Sequence, residues 1–458
     1  MTPASDPPGA DRTDAEARVI SENAGRKSAH DKQNPQAVYA PGEDTTFVVF
    51  RGESADPYAT YYDHEGGEIG PEVRIGTNPI PDDDTHGAPA LTIDDEGFLH
   101  VFYGVHNDPL SYAKSEAPYD TSAWEPMGQP MAEADDDILA SDYWETDRAL
   151  LSVPGGTYTF PLTYQSYIYL LYRTGTEPNA HGPDPEQGDQ ITYPSHAFAT
   201  ILRSTDGGET WDDIGPVIDT RGARGRPESD AYVEDFDERD GKLHITWTVA
   251  TGDPDSQPPR GHDGPRRGGY HAYYDTEDGL LYDLAGNQYG STITWDDHSD
   301  GALRLADDEY TTRSGWVYKH LLTDDTVVVV FQSTDNFGIP DGKSQHVLAT
   351  YDDGWAFERI PGSYTASNHS HVRTSDDGRL EAHLLTETDE GGERASDYSV
   401  LTRSDGEWTQ EVLLEAEPIE GINTVRNGTD EFAALANGIA SDRPQFSKRL
   451  WAVGTFSG

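Results

Sequence analysis

The chain contains no cysteine, which excludes a disulfide framework and a thiolate-ligated zinc as staples. Lysine is scarce, with 7 Lys among the 32 basic residues against 25 Arg. No apolar run approaches the roughly 20 residues of a spanning helix, so no membrane segment is expected. The opening MTPASDPPGADRTDAEARV has neither a twin-arginine pair nor an apolar signal core. On this reading the chain is either cytoplasmic as it stands or extracellular after loss of a signal. A basic stripe is also missing, and without one a phosphate backbone has nothing to bind, so nucleic acid is excluded as a partner. Hydrophobic residues make up only 34% of the 458. That is little for one thick core, and it suits short strands that share small buried faces.

What is abundant is acid. The 84 Asp and Glu against 32 Lys and Arg give a net charge of -52. Such a surplus repels itself in dilute buffer and is screened in molar salt, where the Debye length falls to about 3 Å. The acid-rich, lysine-poor balance resembles that of proteins from salt-loving archaea. The 46 Gly and 30 Pro supply turns.

One theme recurs along the chain, an Asp- and Gly-rich turn followed by a short apolar run, the pattern of a hairpin feeding a buried strand. Its seven copies are TTFVVFRG (45–52), DEGFLHVFYG (95–104), YQSYIYLLYRTG (164–175), DGKLHITWTVATG (240–252), DDTVVVVFQ (324–332), DDGRLEAHLLTE (376–387) and KRLWAVGTF (448–456). Spacings of about 50 to 85 residues fit four-stranded blades with long loops. The expectation is an all-β, seven-bladed β-propeller. Residues 1–33, polar and without period, read as a disordered acidic arm, and 34–458 as a single propeller domain, expected to be monomeric. The segment STDGGETW (204–211) matches the Asp-box turn of BNR repeats. In it Asp206 accepts backbone N–H bonds, the glycines allow positive φ, and Trp211 fills space between strands. That is a signal of fold, which many functions share.

The chemistry concentrates around DTHGAPAL (84–91) and GVHNDPLSY (104–112). His86 and His106 bracket one hairpin, so both reach the same end of a propeller, and imidazoles titrating near neutrality suit proton transfer. The stretch from Asp84 to Ser115 resembles the corresponding segment of BNR-type propeller lyases, notably the two ulvan lyase families, in which two histidines at this spacing flank the uronate. The resemblance spans roughly residues 35 to 300. It implies that Tyr158 in GTYTFPLTYQ is a catalytic tyrosine and Arg173 in LLYRTG a carboxylate-binding arginine, and that Asn107, Tyr232 and His271 line the substrate cleft. The relatives commonly carry Asn after the first histidine, where this chain has Gly87.

Lyase cleavage removes the proton at C5 of a uronate and expels O4, so the neighbouring carboxylate must first be neutralised. A permanently charged, bidentate guanidinium suits that task. Either Tyr158 or a histidine is then the base, and another group protonates the leaving oxygen. The implied function is β-elimination on an anionic, rhamnose–glucuronate polysaccharide, with no cofactor required. Rival readings are a rhamnosidase or rhamnose–glucuronate lyase on a related propeller and a non-catalytic glycan-binding propeller. Three further features have other readings. Arg203 precedes the Asp-box and either faces substrate or has only a structural place beside that turn. His369 and His371 alternate on a strand, as metal ligands do. Structural Ca²⁺ has candidate ligands in Asp82, Asp83 and Asp84 and in Asp135, Asp136 and Asp137, all of which also read as solvated surface.

Overall fold

The computed structural model describes residues 16–29, 32–52, 55–78, 86–104, 106–108, 110–127, 156–174, 197–220, 230–250, 266–299, 303–306, 317–333, 345–387, 396–414, 419–439 and 448–456. These residues form β-sheet almost throughout, with one 3₁₀ turn at Trp295–Ser299. Among them no helix is long and apolar enough to cross a membrane.

Consecutive antiparallel strands make seven blades. The first holds Ala37–Ala40, Thr45–Arg51 and Pro57–Asp63, with the short Glu68–Ile69 and Val73–Arg74 at its rim. The second holds Ala90–Ile93, Leu99–Tyr103, Ser111–Ser115 and Trp124–Pro126. The third holds Gly156–Tyr164, Tyr167–Thr174, Phe198–Ser204 and Asp212–Asp219. The fourth holds Asp230–Arg239, Lys242–Ala250, Arg266–Asp275 and Leu280–Tyr282. The strand Trp355–Thr374 belongs to two blades. Its first part is the rim of the fifth, after Val317–Leu322, Val327–Ser333 and Gln345–Tyr351, and its last part opens the sixth, before Leu380–Glu387, Ser396–Ser404 and Glu407–Leu414. The seventh takes Ile419–Thr424, Ala434–Ile439 and Lys448–Gly454 from the end of the chain and Glu16–Ala24 from its beginning.

Of the disordered arm expected over 1–33, this pairing corrects residues 16–24, while residues 1–15 lie outside the described residues. EARVISENA is too polar to announce a strand by itself. The open edge of Lys448–Gly454 supplies its hydrogen bonds, and Ile20 and Ala24 are buried in the seam.

The second strands are buried on both faces because each blade is stacked between two others, and a doubly covered strand is rich in apolar residues on both faces. Thr45–Arg51, Lys242–Ala250 and Val327–Ser333 follow this rule. The rim strand Glu407–Leu414 has a wet face and is mostly polar. Seven apolar clusters fill the seven seams between blades. One joins the seventh blade to the first through Ile20, Phe50, Leu435 and Leu450. The largest joins the third to the fourth around Trp247. Cutting Trp247 to Ala costs about 3–5 kcal/mol.

The Asp-box links the third and fourth strands of the third blade. Asp206 accepts the Thr210 N–H at 2.9 Å and the Thr210 hydroxyl at 2.6 Å, and these donors hold its carboxyl below the ordinary range against a burial effect of opposite sign. Trp211 meets Phe102 and Tyr112 of the second blade edge-on. A side chain at Gly208 would strike the Tyr112 hydroxyl, and its φ of +91° is left-handed.

Each blade begins at the axis and runs outward, so the starts of the innermost strands share one face of the ring with the ends of the second strands. That face carries the site.

Candidate active site

Arg173, at the end of the second strand of the third blade, is 3% exposed. Its guanidinium carbon lies 4.5 Å from the Tyr158 ring centre and 4.6 Å from that of Tyr232. The Asp230 carboxylate is 3.9 Å away. Burial works against the Arg173 charge, but Tyr232, Tyr158 and Asp230 together hold its pKa above the ordinary value. Among the described residues, its Nε and Nη1 have no hydrogen-bond partner. The site therefore holds a permanent cation on an aromatic seat, with buried, unbonded donors in the fork geometry that suits a planar anion.

Tyr158 reaches this position through a distortion of its strand. Thr157 pairs with Arg173 and Thr159 with Tyr172, which leaves Tyr158 as an extra residue at a β-bulge with φ of 62°. A bulky side chain in the left-handed region stores strain, and such outliers gather at functional sites. Here the bulge turns the phenol onto Arg173. His86 enters from the lead of the second blade, half-buried, its ring centre 5.7 Å from that of Tyr158. The Gly104 N–H donates to the Gly87 carbonyl and closes the hairpin between the two histidine segments. His106–Asp108 joins the inner edge of the third blade, with the His106 backbone opposite Thr157, one residue from Tyr158.

The sequence candidates His86, Tyr158, Arg173 and Tyr232 thus converge, and the His106 backbone adjoins them. The side chains of His106, Asn107 and His369 lie outside the described residues, as do Asp82, Asp83, Asp84 and the run from Asp135 to Asp137. His271 does not belong to the cleft. It is fully buried inside the fourth blade, its ring nitrogens 3.0 Å from His244 Nδ1 and 2.9 Å from the Thr246 hydroxyl. The hydroxyl in turn lies 2.8 Å from His320 Nδ1, so His271 is one link of an internal histidine chain. Its position in a doubly covered blade outweighs its resemblance to a cleft residue. Arg203 donates to Asp212 at 3.2 Å, and His371 Nδ1 accepts the Thr424 N–H at 3.1 Å. Among the described residues no three His, Asp or Glu converge as metal ligands.

Residues not anticipated also surround the site. Asp230 sits two positions before Tyr232 on one strand face, a period-2 signal visible in DAYVEDF. Glu234 is the extra residue of a second bulge, between Val233 and Asp235, and forms a buried ion pair with Lys32. Lys32, Lys319 and Lys448, three of the seven lysines, are buried. In a chain so poor in lysine, that scarcity was the available signal.

Comparison with known proteins places this geometry in context. The chain is 22% identical over 311 residues to Ulvan Lyase-PL25 of Pseudoalteromonas sp. (strain PLSV), covering 62% of this chain and 54% of that one. It is 24% identical over 301 residues to an ulvan lyase of Alteromonas sp. (strain LOR), covering 60% and 53%. It thus spans about half the length of the ulvan lyases it matches. Its fold superposes on the structure of a PL25 ulvan lyase bound to -[GlcA(1-4)Rha3S]- with a TM-score of 0.69, at 17% identity and over 95% of both chains. The BNR repeat-containing family matches residues 56–363, from the third strand of the first blade into the strand shared by the fifth and sixth. With its propeller, its Asp-box and a match over most of its length, the chain belongs to the BNR repeat-containing family.

Proposed function

We propose that the protein is a polysaccharide lyase that cleaves a uronate-containing polymer of the ulvan type by β-elimination. The observation that carries this reading is Arg173, buried between two tyrosine rings with unbonded N–H groups, beside a phenol held on a strained bulge and an imidazole. Arg173 grips the uronate carboxylate and takes up the charge that grows on it as the C5 proton leaves. The C–H electron pair becomes the C4–C5 double bond, the C4–O4 bond breaks, and O4 receives a proton. Tyr158 and His86 provide the proton-transfer pair, one as base at C5 and the other as acid at O4. The similarity to ulvan lyases supports the same chemistry.

The test is incubation with ulvan in molar KCl while the ultraviolet absorbance of the unsaturated uronate is followed. Arg173→Lys keeps a charge but loses the planar fork, and it should lower kcat/KM by about 10²- to 10³-fold. Binding without a new double bond would make the protein a glycan-binding propeller, and chain cleavage without unsaturation a hydrolase.

A further inference from the structure

Residues 32–36, which lead into the innermost strand of the first blade, are bonded to five blades at once. The Pro35 carbonyl accepts the Leu91 N–H of the second blade at 2.8 Å, and the Gln36 carbonyl accepts the Val49 N–H of the first at 2.8 Å. The Asn34 N–H donates to the Thr159 carbonyl of the third at 3.2 Å. Asn423 of the seventh donates to the Gln36 side chain at 3.1 Å. The side chains reach further. Gln33 donates its amide to the His86 carbonyl, Asn34 donates to the Asp235 carboxylate at 3.2 Å, and Lys32 pairs with Glu234. Glu234 also accepts the Thr248 hydroxyl at 3.2 Å, and its backbone carbonyl accepts from Lys319 at 2.7 Å. Lys32, Gln33, Asn34 and Glu234 are all buried.

Three of these bonds end at or close to a site residue. Gln33 holds His86 itself, Asn34 holds the residue after Tyr158, and Lys32 holds the bulge two residues beyond Tyr232, with its ammonium 5.8 Å from the Tyr232 ring centre. The three site blades meet near the axis, and these polar bonds cross from one to the next there. A misplacement of about 1 Å costs on the order of 10²-fold in rate.

We infer that Lys32, Gln33 and Asn34 are positioning residues of the active site, a strap across the propeller axis that sets the distance between His86, Tyr158 and the Arg173–Tyr232 pair. The inference rests on the lyase reading for its kinetic arm and is independent of it for its structural arm.

The variants are Gln33→Glu, which keeps the side chain's size but turns its donor into an acceptor, and the double replacement Lys32→Met with Glu234→Gln, which removes both buried charges together. Lys32→Arg is the conservative control, and Asp206→Ala is a fold-weakening control remote from the axis. For Gln33→Glu and the double variant the strap predicts a fall in kcat of about tenfold with KM within about twofold. It also predicts faster amide exchange confined to residues 86–93 for Gln33→Glu and to residues 230–239 for the double variant, whereas Asp206→Ala lowers Tm without either pattern. Lys32→Arg should retain kcat. Wild-type kcat and exchange in both variants would overturn the inference, as would exchange gains shared equally by all blades, which mark loss of fold. Should the wild-type protein release no unsaturated uronate, the lyase reading falls alone, and the exchange pattern still decides whether the strap exists.

Discussion

His298 gives the fold an acid limit that can be worked from its contacts. Its Nδ1 lies 2.7 Å from the Thr294 carbonyl and must donate to it, while its Nε2 accepts the Trp247 indole N–H at 3.1 Å. Trp295 stacks on the ring at 5.0 Å and Tyr270 meets it edge-on at 4.6 Å. The neutral ring satisfies both bonds, whereas a proton on Nε2 would face another donor. Burial dominates and pushes its pKa down to about 4, against the opposing pull of Thr294 and Asp297. The unfolded chain, titrating near 6.5, binds this proton first as the pH falls, so stability present above about 6.5 drains away toward 4. For this one residue the loss is about 2 kcal/mol by pH 5 and about 3 kcal/mol by pH 4. His244 and His271 add losses of the same sign, since burial first and the neighbouring histidines second hold both well below the ordinary value. The assay is urea unfolding in molar KCl at a series of pH values, for wild type and His298→Gln. The variant starts less stable because it loses ring packing, but its stability should change less between pH 7 and 5, by about 2 kcal/mol. Equal pH dependence in the two proteins would refute the reasoning.

Other outcomes follow from the same structure. Gly421→Ala would bring a Cβ to 1.9 Å from the Ala29 carbonyl oxygen, where backbone meets backbone and neither yields easily. Denaturant titration should show a loss of about 1–3 kcal/mol. Asp206→Ala removes the acceptor of the Asp-box turn. Its exposure limits the loss to about 1 kcal/mol, read as a drop of a few degrees in Tm. With a net charge of -52, both Tm and the rate on an anionic polymer should climb with KCl as the Debye length contracts from about 10 Å at 0.1 M to about 3 Å at 1 M. A Tm flat across that range would exclude self-repulsion as the controlling force.

The propeller was legible because one strand type advertises itself. Six of the seven apolar runs read from the sequence are the second strands of their blades, covered on both sides. The exception is KRLWAVGTF, which contains the third strand of the seventh blade. There the second strand, ALANGI, is interrupted by Asn437 and Gly438 and leaves no apolar run to see. His86, Tyr158 and Arg173 were readable as chemistry-bearing residues in a resembling context. The strap was not, because Lys32, Gln33 and Asn34 are polar residues in a polar stretch and owe their burial to partners hundreds of residues away. His271 failed in the opposite direction: a histidine on a strand looks the same from sequence whether it faces a cleft or a neighbouring blade.

On the lyase reading, the seam of the seventh blade ties catalysis to the completion of the ring. Apart from a single bridge from Ala24 to Gly52, Glu16–Ala24 pairs with Lys448–Gly454, and the strap that follows it draws one of its bonds from Asn423. A chain made only as far as the sixth blade would hold every residue of the site and the strap's bonds to the first four blades, and would lack the Asn423 anchor and the closed ring that hold the strap in place. Activity should therefore switch on with the last strand rather than grow with chain length, so turnover can serve as a clock for ring closure during refolding.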